Sequence, residues 1–193
     1  MMDTKNIMIV GVGGQGTLLA SKLLGAVLLG RGYDVKVSEV HGMSQRGGSV
    51  VTYVRWGDRV YSPVIDEGEA DIILSFELLE AARYLRFLKK GGRIIVNTQR
   101  MDPMPVITSA AAYPENLVEK MKSAGADVDA ADFLSLANQA GSARAVNVAL
   151  LGRLSRLLPE ITEETWLEAI AKGVPPKFVD VNQQAFLLGR AQA

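Results

Sequence analysis

The run Gly11-Val12-Gly13-Gly14-Gln15-Gly16 fits G-x-G-x-x-G, a pattern in which missing side chains let a backbone turn sharply and approach a ligand. Gly11 permits the tight turn, Gly13 the close approach, and Gly16 the packing of a helix on a strand. Gly14 and Gln15 complete the candidate binding loop. Free N–H groups at the start of a following helix, at its positive dipole end, would attract a phosphate or another anion. A tight turn that holds no ligand is the plainer alternative.

The densest polar and glycine-rich segment is Glu39-Val40-His41-Gly42-Met43-Ser44-Gln45-Arg46-Gly47-Gly48-Ser49. Arg46, with Gln45 before it and Gly47 and Gly48 after it, offers a fork of donors for a carboxylate or phosphate beside unobstructed backbone. The alternative is a solvated loop in which Arg46 pairs with Glu39. His41 suits a proton carrier or a phosphate donor, or an ordinary hydrogen-bonding role. Glu39, 23 positions beyond Gly16, is the one acid placed to read a ribose as nicotinamide sites require. Glu77 suits the start of a helix, and Asn97-Thr98 either a crevice or a turn. Asn147 suits a buried hydrogen bond or a subunit contact. Residues 177–182 make either a functional turn or a plain connection.

The elements that must position these residues follow from hydropathy. Residues 6–10 form a β-rich run, and Leu18, Leu19, Leu23, Leu24, Val27 and Leu28 then recur at helical spacing. Residues 33–40 alternate as a second strand. Where a crossover helix would come next, residues 50–55 and 60–62 instead flank Trp56-Gly57-Asp58, a hairpin-type signal. Strands are expected at 70–75, 93–97 and 126–128, and a helix over 77–89 that stops at Gly91-Gly92. Further helices are expected from Pro114 to 123, over 132–139, 143–158 and 163–172 with Thr162 as cap, and over 181–190. The pattern predicts one α/β domain over residues 1–193. It is Rossmann-like, a mostly parallel sheet with helices on both faces, an inserted hairpin after the second strand and a helix-rich C-terminal third.

Composition removes several classes of function. Lys plus Arg (21) equals Asp plus Glu (21), which argues against nucleic acid as a partner. No cysteine is present, so this chain supplies no thiolate for an iron–sulfur cluster, and a single histidine builds no multi-histidine metal site. No apolar run reaches a membrane span, and the first residues do not read as a secretory signal, so a cytoplasmic protein is expected. No residue stands out as a catalytic group.

Together the two glycine-rich segments resemble the gamma-type domain of the 2-oxoacid:ferredoxin oxidoreductases. The wording His41-Gly42-Met43-Ser44-Gln45-Arg46-Gly47-Gly48 is most similar to the companion (beta) subunit of the indolepyruvate branch. The Gly-Pro-Glu type segment usual before Arg-Gly-Gly in the pyruvate branch is absent. Glu77, Asn97-Thr98, Asn147 and the stretch 181–186 extend the similarity over nearly the whole chain. The resemblance implies a complex that decarboxylates a 2-oxoacid, such as indolepyruvate or another aryl pyruvate, on thiamine diphosphate. It passes electrons through iron–sulfur clusters to ferredoxin and transfers the acyl group to coenzyme A.

This chain has neither cysteines nor a Gly-Asp-Gly segment followed by Asn, so thiamine diphosphate, magnesium and the clusters are expected on a larger alpha subunit. Coenzyme A is expected near the glycine loops, unless those loops only shape the interface. A homodimer is the expectation for the isolated chain. The alternatives are a stand-alone nicotinamide-dependent oxidoreductase and a non-catalytic assembly subunit.

Overall fold

The computed structural model describes residues 3–41 and 47–192, with His41 described in its backbone only. In chain order the elements are β1 (Lys5–Val12), α1 (Thr17–Gly30), β2 (Asp34–His41), β3 (Ser49–Gly57), β4 (Ala70–Ser75), α2 (Leu78–Arg83) and β5 (Leu88–Asn97). Then come α3 (Met104–Ile107), α4 (Leu117–Ser123), β6 (Asp127–Ala131), α5 (Phe133–Gln139), α6 (Val146–Ser155), α7 (Glu163–Gly173) and α8 (Val179–Ala191). The strands form one sheet in the order β2-β3-β1-β4-β5-β6.

The sheet is mixed. β1, β4, β5 and β6 pair in parallel, whereas β3 pairs antiparallel with both β1 and β2. The inserted hairpin therefore consists of β2 and β3, not of residues 50–55 and 60–62. Trp56, expected in a turn, instead continues β3 into the core, where it is 2% exposed. Residues 60–62 lie outside any strand. The Arg55 guanidinium donates to the carbonyls of Ser62 (3.0 Å) and Val64 (2.8 Å), which ties this segment down by a side chain in place of a ladder.

Alternation along the strands sends side chains to two cores. Ile7, Ile9, Val54, Trp56, Leu74 and Ile95 pack with α1 and α5 to α8 on one face. Met8, Val10, Val51, Ile73, Ile94 and Val96 pack with Ala81 of α2 and Met121 of α4 on the other. Helices thus cover both faces, and the C-terminal third is helical as the sequence implies. There α6 and α8 lie backbone to backbone: a Cβ on Gly189 would stand 1.9 Å from the Ala149 carbonyl oxygen.

The helix expected over 77–89 stops at Arg83, and β5 starts at Leu88. Gly91-Gly92 is accordingly inside a strand. Gly91 has φ 80°, the β4–β5 register shifts between Ala70 and Ile72, and a Cβ on Gly92 would meet the Asp71 carbonyl oxygen at 2.9 Å. These are the marks of a bulge that needs glycine, not of a helix end. The N-cap expected at Thr162 is present, its hydroxyl accepting from the Thr165 N–H.

Candidate functional site

The glycine loop leaves the C-terminal end of β1 and opens α1, as the motif requires. Left-handed backbone falls on Gly14 (φ 104°) and Gly16 (φ 86°), and Gly13 is not among the left-handed glycines. Gly11 and Gly16 are held by packing. A Cβ on Gly11 would meet the Phe76 Cβ at 2.9 Å, and one on Gly16 would meet Asn147 Nδ2 at 2.6 Å. Asn147 Nδ2 donates to the Gly16 carbonyl at 3.3 Å, which explains a polar residue 3% exposed within an apolar helix. Gln15 folds back on its own loop. Its Oε1 accepts from the Val12 N–H (2.8 Å), and its Nε2 donates to the Phe76 carbonyl (3.1 Å).

The hairpin brings the second glycine segment to the same edge. Gly13 N–H donates to the Gly48 carbonyl (2.8 Å), and Gly47 N–H donates to the Gly13 carbonyl (3.3 Å). Ser49 hydrogen-bonds the buried carboxylate of Glu80, which also accepts from Arg83 Nε at 3.1 Å. His41 ends β2 opposite Val50. Gln45 and Arg46 lie outside the described residues.

Gly13, Gly14, Gly16, Thr17, Glu39 and Val50, with Leu18, line an open groove of about 420 Å³. Among the described residues, the N–H groups of Gly14, Gly16, Thr17 and Leu18 have no hydrogen-bond partner. Four donors at a helix start suit phosphate oxygens, and the Glu39 carboxylate suits a hydroxyl or an amine. Glu39 reaches this groove from β2, two strands away from β1 because β3 intervenes, roughly 10 Å across the sheet. In a dinucleotide fold the acid that reads a ribose ends the strand next to β1, so the inserted β3 widens the gap a nicotinamide dinucleotide would have to span.

A second polar cluster lies along the same edge. Glu77 is 1% exposed and caps α2: its carboxylate accepts from the Glu80 N–H (2.9 Å), the Met101 N–H (3.1 Å) and the Tyr113 hydroxyl (2.5 Å). Burial and the bond to the Glu77 carboxylate push the Tyr113 phenol well above its ordinary pKa, and Arg100 stacks 4.3 Å from its ring. Asn97, fully buried, accepts from the Phe133 N–H (3.1 Å) and donates to the Phe76 carbonyl (3.3 Å). Asn97 thus fixes the crevice wall and does not face a ligand. Tyr113 was not legible as a partner of Glu77, because the pairing joins segments 36 positions apart.

Among the described residues no group of three or more His, Asp or Glu side chains is arranged to hold a metal ion. With no cysteine, this chain does not fit an iron–sulfur cluster as ligand. No helix among the described residues is long and apolar enough to cross a membrane.

Comparisons with known proteins agree with this geometry. The family model of pyruvate ferredoxin/flavodoxin oxidoreductase matches residues 6–192. The chain is 47% identical to indolepyruvate oxidoreductase subunit IorB of Thermococcus kodakarensis, over 97% of this chain and 95% of that one. It is 38% identical to the subunit of the same name from Archaeoglobus fulgidus, over 97% and 94%. Among solved structures, pyruvate oxidoreductase subunit PORC of Thermotoga maritima superposes with a TM-score of 0.75 at 21% identity, covering 96% of this chain and 94% of that one. The 2-oxoglutarate:ferredoxin oxidoreductase of Magnetococcus marinus, solved with coenzyme A bound, gives 0.71 at 22%, covering 97% of this chain and 30% of that one. At such identities the two structures establish the fold, and the sequence matches establish the rest: the chain belongs to the pyruvate ferredoxin/flavodoxin oxidoreductase family.

Proposed function

We propose that this chain is the companion subunit of a cytoplasmic indolepyruvate:ferredoxin oxidoreductase. The observation that carries the reading is the end-to-end match to indolepyruvate oxidoreductase subunits, 47% identical over 97% of the chain, in a sequence with no cysteine. The larger subunit holds thiamine diphosphate, magnesium and the iron–sulfur clusters, and it reduces ferredoxin. The glycine-loop groove receives part of coenzyme A. Its four free N–H groups take phosphate oxygens, Glu39 accepts a hydroxyl, and Arg46 adds a fork of donors. When bound, coenzyme A supplies the thiol that accepts the acyl group; this chain binds and orients it.

The test is reconstitution. The purified chain with indolepyruvate, coenzyme A and thiamine diphosphate is expected to reduce no ferredoxin, and activity is expected when the larger subunit is added. Turnover by the chain alone, with ferredoxin or with a nicotinamide, would refute the subunit reading. For the groove, Leu18→Asp places a carboxylate beside the free N–H groups at an exposed position. It is expected to raise the KM for coenzyme A about tenfold or more, because the added charge repels a phosphate and competes for the N–H groups, without weakening subunit association.

A further inference from the structure

The groove between α1 and α7 is larger than the one at the glycine loop, about 610 Å³. Each wall is one helix face. Leu19, Lys22, Leu23, Ala26, Val27 and Gly30 of α1, with Arg31 just past its end, recur at steps of three and four, and so do Thr165, Glu168, Ala169, Lys172 and Gly173 of α7. The helices press together at Leu23, whose Cδ2 lies 2.4 Å from where a Cβ on Gly173 would stand. Ala26, Gly30 and Ala169 are small, which leaves the space between the helices unfilled.

The floor is apolar, and the rim is basic in a chain whose formal charge is zero. Lys22 and Arg31 form no ion pair among the described residues, whereas Lys172 pairs with Glu168 at 3.4 Å. Leu19 also lines a smaller cavity, together with Val174 and Phe178. There Arg144 again has no carboxylate partner among the described residues, and Lys177 lies 4.8 Å from the Phe178 ring. Four cations with no ion pair among the described residues therefore flank a track past Leu19, whose lining holds one acid, Glu168.

We propose that this track docks an acidic amphipathic helix of the larger subunit, an inference that rests on the companion-subunit reading. Two splayed helix faces accept a third helix as ridges into a groove, which buries an i, i+3, i+4, i+7 row of apolar anchors. Carboxylates flanking that row would then meet Lys22 and Arg31 on one side and Arg144 and Lys177 further along. A nucleic acid would leave the apolar floor unused.

The experiment uses the reconstituted complex. A photo-crosslinking residue at Ala26 is expected to form its adduct within an acidic helical segment of the larger subunit. The double variant Lys22→Glu/Arg31→Glu changes only exposed side chains, so its melting temperature should match wild type. Its association rate with the larger subunit is expected to fall about tenfold at low salt and to approach wild type at high salt, as rim charges steer encounter. An adduct confined to a second copy of this chain, or wild-type association of the double variant, overturns the groove assignment and leaves the companion reading standing. Failure of the wild-type chain to bind the larger subunit at all overturns both.

Discussion

The N–H of Gly13 donates to the carbonyl of Gly48 at 2.8 Å, across 35 residues of chain, so the two glycine segments are one structure and not two independent loops. The donor that the motif would offer to a ligand at Gly13 is occupied by the protein itself. Binding capacity passes to Gly14, Gly16 and the first residues of α1.

The glycines of the first loop should differ in tolerance. Both Gly14 and Gly16 are left-handed, so alanine strains each by about 1 kcal/mol or more. A Cβ on Gly14 meets nothing within 4 Å, whereas one on Gly16 meets Asn147 Nδ2 at 2.6 Å. Gly16→Ala is therefore expected to lower stability to urea by about 1–3 kcal/mol more than Gly14→Ala. Adding Asn147→Ala should recover part of that difference, and strictly additive losses would show that the two residues do not press on each other.

Alkaline pH should find the Tyr113–Glu77 contact. The folded protein holds the phenol above its ordinary pKa of 10.0, so between that value and the folded one the unfolded chain carries fewer protons. Stability is then complete below about pH 10 and falls as pH rises further. Tyr113→Phe is expected to lower stability at pH 7 by about 1.5–3 kcal/mol, the worth of a hydrogen bond to a charged group, because the hydroxyl donates to the Glu77 carboxylate and also accepts from the Leu79 N–H at 3.1 Å. It should also flatten the loss above pH 10, and denaturation curves across pH 7–11 read both effects.

Arg46 lies outside the described residues, yet its chemistry makes a definite prediction. If its guanidinium holds a phosphate of coenzyme A as a fork, an ammonium cannot replace the two parallel donors. Arg46→Lys should then raise the KM for coenzyme A nearly as far as Arg46→Ala, by about ten- to a hundredfold. A shift in subunit association with an unchanged KM would instead place Arg46 at the interface.

The strand, glycine loop and helix that open the chain were legible because local signals and the core agree there. Glycines need special backbone, and the leucines of α1 keep a helical period. The sequence misplaced β3 because Trp56-Gly57-Asp58 has turn chemistry, while burial of the Trp56 side chain overrides it. Gly91-Gly92 reads equally as helix stop or strand bulge, and only the Asp71 carbonyl, 21 positions before Gly92, decides between them. The Tyr113–Glu77 bond spans 36 positions from an irregular segment, where no periodicity points at a partner. What a single sequence carries poorly is pairing at a distance, and the crevice wall is built from it.

Trp56 and Gly48 occupy opposite ends of the same stretch, roughly 26 Å apart along an extended strand. A slip of one residue would turn Val54 and Trp56 out of the core, so the indole fixes the alignment of β3 against Lys5 at one end and sets where Gly48 arrives at the other. The strand behaves as a measuring rod whose zero mark is a buried ring. A change that loosens Trp56 would be felt at the glycine groove as a loss of alignment, although no ligand comes near the indole.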